Sequence, residues 1–187
     1  MSEQLRPYQQ DSIDRLRAQV SAGKRRILLV CPTGAGKSSI AAAIVASARQ
    51  NFGARVLFFA HRLELVNQPV DRFAMYGVTE VGVIRADDAR TNAMMPVQVA
   101  TVQTLSRRDL PLADIVIVDE AHRTAGETYK KILAAYPEAT IIGLTATPCR
   151  LDGKPLGDVF DAIEVVSSYS EEKALEFPPK DAPKPKF

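Results

Sequence analysis

A chain of 187 residues has room for one large domain with a buried core. Its 46% hydrophobic and 25% charged content is that of a soluble globular protein, and no apolar run approaches the roughly 20 residues that span a bilayer. A net charge of +2 removes any argument from bulk attraction to phosphate, and the two cysteines, Cys31 and Cys149, are too far apart for a metal-ligand spacing or a disulfide framework. The N-terminal MSEQLRPYQQ lacks the apolar core of a signal peptide, so the chain reads as cytoplasmic, with no membrane partner and two reduced thiols open to oxidation.

In chain order, a helix is predicted from Pro7 to Val20, with Ile13, Leu16 and Val20 at helical spacing and Gly23 as its stop. The run Ile27 to Val30 is continuously apolar, as in a parallel strand buried on both faces. After it comes CPTGAGKS, then a helix with Ile40, Ala41, Ile44, Val45 and Ala48 on one stripe, a turn at Asn51 to Gly53, and a second buried strand from Val56 to Ala60. This is a β-α-β unit. A helix from Leu63 to Met75 should kink or split at Pro69, and Arg85 to Asn92 should be a surface loop or short helix between strands Val81–Ile84 and Val97–Thr101. Strands follow at Ile115 to Val118 and Ile141 to Leu144, separated by a helix from Tyr129 to Tyr136, and a short one at Ala162 to Val166. Residues 171–187 carry four prolines in the last ten positions and no period, so an extended or disordered tail is expected after a domain at 1–170. The alternation implies an α/β fold with a mostly parallel central sheet flanked by helices on both faces.

The chemistry gathers where strands end. Gly34 and Gly36 let backbone N–H groups approach an anion, the helix beginning near Lys37 adds its positive end, Lys37 offers a point charge, and Ser38 offers a hydroxyl for magnesium. The first glycine of a strict phosphate-loop pattern is replaced by Cys31, so the loop alone also fits an ordinary strand-to-helix turn. The strand ending in Asp119-Glu120 supplies the complement: one carboxylate to hold hydrated magnesium and a second to orient or deprotonate water. Taken singly, such a pair also serves as a solvated strand end or helix cap. Gln9, one short helix ahead of the loop, has an amide that can pair with both edges of adenine, although a glutamine there is commonly just a solvated helix residue.

Six blocks in fixed order carry a resemblance: LRPYQ (5–9), CPTGAGKS (31–38), FFAHRLELVNQ (58–68), VATVQTL (99–105), IVIVDEAH (115–122) and GLTATP (143–148). The sequence resembles the N-terminal RecA-like P-loop NTPase domain of superfamily 2 DEAD/DEAH-box helicases, and within it is similar to RadD-like and type III restriction-subunit helicases. The resemblance implies an ATP site formed by Arg6 packing on the base, Gln9 reading it, and Pro32, Thr33, Gly34, Ala35, Gly36, Lys37 and Ser38 around the phosphates. Lys37 and Glu120 would be catalytic, and Ser38 and Asp119 would hold Mg2+. It further implies coupling by His122, Thr145 and Thr147, and backbone contacts from Arg62, Thr101, Gln103 and Thr104 to a nucleic acid, DNA favoured over RNA. Cys31 is an accepted variation in that family.

The family closes a second RecA-like lobe, in cis or in trans, over the nucleotide, and that lobe brings an arginine worth roughly 10³ to 10⁵ in rate in related phosphoryl-transfer enzymes. Nothing after Ser170 could encode it, so the chain is expected to bind ATP far better than it hydrolyses it. Two functions are open at this point. One is the ATP-binding motor lobe of a helicase or translocase; the other is a stand-alone nucleotide switch that modulates a full-length helicase without turnover.

Overall fold

In a computed structural model the structure describes residues 5–60, 66–85, 89–124, 126–147, 156 and 159–166. Seven strands form one sheet: β1 (Arg26–Val30), β2 (Val56–Ala60), β3 (Val81–Ile84), β4 (Val97–Thr101), β5 (Ile115–Asp119), β6 (Thr140–Thr145) and β7 (Ala162–Val165). Their spatial order is β3-β4-β2-β5-β6-β1-β7 and every pairing is parallel, so the expectation of a mostly parallel sheet becomes a wholly parallel one. Both faces must then be covered, because every strand is joined to the next by a crossover.

Among the described residues five α-helices do this: α1 (Pro7–Ser21), α2 (Lys37–Phe52), α3 (Asn67–Met75), the single turn α4 (Val102–Leu105) and α5 (Glu127–Ala134). On one face, α1, α2 and α3 pack Ile13, Leu16, Ile40, Val45 and Phe73 against Ile27, Leu29, Phe58, Val99 and Ile142. On the other, Leu105, Ile132 and Leu133 of α4 and α5 meet Leu28, Phe59, Val116, Val118 and Ile141. Alternate residues of one strand thus serve opposite cores, which is why β1 reads as an unbroken apolar run. Ile40 has no exposed surface, and truncating it to alanine should cost about 2–5 kcal/mol.

Local departures from the predicted elements have simple causes. Pro69 neither kinks nor splits a helix, because α3 begins at Asn67 and places the proline in the first turn, where a missing N–H breaks no helical bond. The expected start at Leu63 lies outside the described residues. Helix α5 ends at Ala134 instead of Tyr136, and Tyr136 instead turns its hydroxyl to the Pro111 carbonyl at 2.7 Å. Val20, expected to face the core, is at the exposed margin of α1. α4 was too short to show a helical period. Phe58 and Phe73 meet edge to face at 5.4 Å, fixing α3 to β2.

Candidate active site

The strand order decides which side chains can meet. β6 lies between β1 and β5, so the loop leaving β1 and the acids leaving β5 face each other across the end of β6. The Cys31 N–H donates to the Thr145 carbonyl at 2.7 Å, tying the loop's first residue to that middle strand. Gly34 and Gly36 adopt φ of 86° and 81°, left-handed backbone that glycine enters without strain. Ala35, wholly buried, donates its N–H to the Pro32 carbonyl at 3.0 Å, while Thr33, Gly34 and Ser38 are exposed.

Lys37 is the hub. Its ammonium donates to Glu120 Oε1 and lies 2.9 Å from Asp119 Oδ1. Burial works to lower its pKa, but the hydrogen bonds and charges of Glu120 and Asp119 outweigh that and hold it above the ordinary lysine value. Glu120 has φ 53°, the sole positive-φ residue other than glycine among the described residues, at a cost of roughly 1–3 kcal/mol for a side chain of that size. That backbone turns the chain straight from β5 into a 3-10 turn, Ala121–Arg123. The carboxylate is thereby presented at the rim.

His122 joins the acids to β6. Its Nδ1 is 3.2 Å from Thr145 Oγ1 and 3.3 Å from Glu120 Oε2. The Thr145 hydroxyl donates to the Thr147 carbonyl at 2.8 Å and accepts from the Thr147 N–H at 3.1 Å, so its proton is already used. A carboxylate oxygen only accepts. Nδ1 therefore carries the imidazole proton and shares it between Thr145 and Glu120. His122, Thr145 and Thr147 form one connected chain ending at Glu120.

The amide of Gln9 makes two bonds within the protein, using one of its two N–H donors. Its Oε1 accepts from the Arg6 N–H at 2.9 Å, the reciprocal bond of a helix N-terminus, and its Nε2 donates to the Ala35 carbonyl at 2.9 Å. A Cβ at Gly36 would collide with that same amide nitrogen. Arg6 is exposed and its guanidinium donates to the Tyr8 hydroxyl at 3.3 Å, which in turn reaches Ala35 O at 3.4 Å. Tyr8 was missed in the sequence. Its place inside LRPYQ was the available signal, but only the fold shows that it braces the loop from 27 residues away.

Thr101 and Thr104 lie at the end of β4, away from this cluster. Thr101 is 2% exposed and its Oγ1 caps α4 by accepting the Thr104 N–H at 3.3 Å, with the two hydroxyls 3.0 Å apart. Gln103 is exposed beside them. Arg62 falls outside the described residues, as does Cys149. Cys31 is buried, and burial, opposed by the Lys37 charge, pushes its thiol up to about 12. A thiol this buried is a poor target for oxidants, against the expectation of oxidation sensitivity at this position.

The donor set suits a small hard cation beside phosphates. Ser38, Lys37 and Asp119 line one cavity of about 50 Å³, and magnesium characteristically takes one or two protein oxygens together with water and phosphate. Among the described residues no group of three or more His, Cys, Asp or Glu gathers into an all-protein metal cage. No helix among them is long and apolar enough to cross a membrane.

A wholly parallel sheet with a glycine loop and Lys-Ser after β1, Asp-Glu-Ala-His after β5 and Thr-Ala-Thr after β6 defines the N-terminal RecA-like domain of a superfamily 2 helicase-type ATPase. The chain belongs to the family described as Type III restriction enzyme, res subunit, which it matches over residues 2–150. It is 32% identical over 136 residues to a 51.5 kDa protein of a Lactococcus phage, covering 72% of this chain and 27% of that protein. It is 27% identical over 154 residues to the DNA 3'-5' translocase XPB2 of Sulfurisphaera tokodaii, covering 81% of this chain and 32% of that one. The UvsW helicase of bacteriophage T4 shares the fold with a TM-score of 0.71 at 24% identity, over 87% of this chain and 60% of that one. The chain spans about a quarter of the length of the first curated relatives it matches.

Proposed function

We propose that this chain is the ATP-binding motor lobe of a superfamily 2 DNA helicase or translocase, and that it binds MgATP and the backbone of a single strand while hydrolysis needs a second RecA-like lobe. The observation that carries the reading is the Lys37 ammonium held between Asp119 and Glu120 across the end of β6. A cation and two acids partly buried at one rim are mutually satisfied only until a phosphate arrives. Lys37 then exchanges carboxylates for phosphate oxygens, which leaves Asp119 to meet hydrated magnesium and Glu120 to accept a proton from water. Magnesium, when bound, would neutralise phosphate charge, and Ser38 and Asp119 would be the residues to hold it.

The coupling follows from the same contacts. Glu120 shares the His122 proton with Thr145, so a change at the carboxylate is felt at Thr145 and Thr147 on the neighbouring strand. Gln103 and Thr104, near the outer rim, are the described groups proposed to touch a nucleic-acid backbone, with Arg62 as a further contact. Such contacts carry little sequence information and weaken with salt. DNA is favoured because a relative is named as a DNA translocase and a structural neighbour, an ATPase core from Sulfolobus solfataricus, is described in complex with double-stranded DNA.

The test is ATP turnover by the chain with and without single-stranded DNA, after adding the cognate second lobe. Stimulation is expected for the native chain and none for Lys37→Ala or Glu120→Gln. Equal rates for native and variant proteins would sink the motor reading, and ATP binding without any stimulation would favour the switch.

A further inference from the structure

The cavity behind the phosphate rim contains one polar side chain that the roles above leave unused. Its apolar lining comes from Ala41 of α2, Phe58 of β2, Phe73 of α3 and Leu144 of β6, with Pro69 beside them. Its polar groups are Lys37, Ser38, Asp119 and, from the first turn of α3, Gln68. Lys37 and Asp119 are bonded to each other. Gln68 is an exposed residue, and its amide bonds to no other described residue. Its neighbour Asn67 is anchored, accepting from Arg90 Nη2 at 2.8 Å, and Phe73 pins the helix to β2, so the first turn of α3 is held in place over the cavity.

At about 50 Å³ the cavity has room for roughly three waters, counting about 15 Å³ of probe volume for each. The side chains of Lys37, Ser38, Asp119 and Gln68 offer water there polar partners. We propose that Gln68 is a positioning residue for the metal-bound end of the nucleotide, its amide ordering the outer water shell of magnesium between Ser38 and Asp119. The inference rests on the MgATP reading above. An amide is the suitable group: metal-bound waters donate hydrogen bonds, phosphate oxygens accept them, and an amide does both without adding charge beside Asp119. Magnesium also gives up its waters reluctantly, so a site with few protein ligands depends on groups that hold those waters in place. Because Gln68 belongs to α3, the helix then registers the presence of metal and phosphate directly.

The test titrates a fluorescent N-methylanthraniloyl-ATP onto the whole chain in Mg2+ and in EDTA, for the native protein, Gln68→Ala, Gln68→Glu and Lys37→Ala. The native chain should bind more tightly in Mg2+. Gln68→Ala should lose about tenfold of that magnesium-dependent gain, the lower end for removing an outer-shell partner of a metal, with its affinity in EDTA and its unfolding midpoint unchanged. Gln68→Glu, which still accepts from metal-bound water, should keep most of the gain. An unchanged gain in Gln68→Ala, or an equal loss in both buffers as a merely structural role would give, overturns the inference alone. A native chain that binds no more nucleotide than Lys37→Ala overturns the proposed function as well.

Discussion

The two halves of the carboxyl rim treat their polar side chains differently. At the centre, after β1, β5 and β6, Lys37, Asp119, Glu120, His122 and Thr145 are satisfied by one another, through side chains from distant parts of the chain. Toward the outer edge, after β4, Thr101 and Thr104 are satisfied by each other and by the backbone of their own turn. A network of charges can be reopened by a ligand that competes for the same ions, whereas a buried cap is part of the local fold. The centre is therefore poised for exchange, and the outer edge is built first as structure.

Four experiments can break or sharpen that contrast. Glu120→Gln should leave nucleotide affinity intact and cut turnover by roughly 10² to 10⁴ in the assembled enzyme, the range for a general base. Loss of folding instead, seen by circular dichroism, would make the central network structural and erase the difference. Gly143→Ala, beneath the centre on β6, places a Cβ against the Phe160 ring and 2.8 Å from the Ala121 Cβ, and should destabilise by about 1–3 kcal/mol in urea. Unchanged stability there would mean that the turn carrying Glu120 and His122 is less tightly set on β6 than its contacts imply.

A smaller effect is expected at the outer edge. Thr101→Ala should cost about 1 kcal/mol through the lost cap of α4, with nucleic-acid affinity falling only in proportion. If strand binding collapses at unchanged stability, Thr101 is a ligand contact and the contrast fails. The least change should come far from the rim, at Arg55 and Asp114, whose hydrogen bonds hold the Asp114 carboxyl below its ordinary range. A depressed carboxylate adds stability above its unfolded pKa and loses it as pH falls through the folded one. Asp114→Asn should thus lower the melting midpoint slightly at neutral pH, with the gap to native closing below about pH 4.

Where the sequence was legible, physics acted locally. Continuous apolar runs marked β1, β2 and β5, because a strand buried on both faces has few polar positions to alternate. The stripe of α2 and the glycines of the phosphate loop were equally plain. What escaped depended on neighbours distant in the chain. Nothing local shows that the Gln9 amide bonds to Arg6 and Ala35, that Tyr8 braces the loop, or that Glu120 sits at positive φ. The family resemblance implies Thr101 as a nucleic-acid contact, and the fold adds that its hydroxyl caps the helix that follows, a role visible only once α4 is known to exist. Gln68 was passed over because an exposed amide on a short helix has no distinguishing pattern until the cavity beneath it is seen.

The strand order also sets a schedule for the chain as it is made. β1 has no sequential neighbour in the sheet: its partners are β6, with Arg26 opposite Ile141, and β7, with Ile27 opposite Ala162. The strand leading into the phosphate loop leaves the ribosome before the other strands of this sheet and is among the last of them to be paired. Until β6 emerges, Ile27, Leu28 and Leu29 have neither partner, and such long-range parallel pairing is slow and prone to association between chains. A chain halted before β6 should therefore need a chaperone, although it already contains Lys37, Asp119 and Glu120.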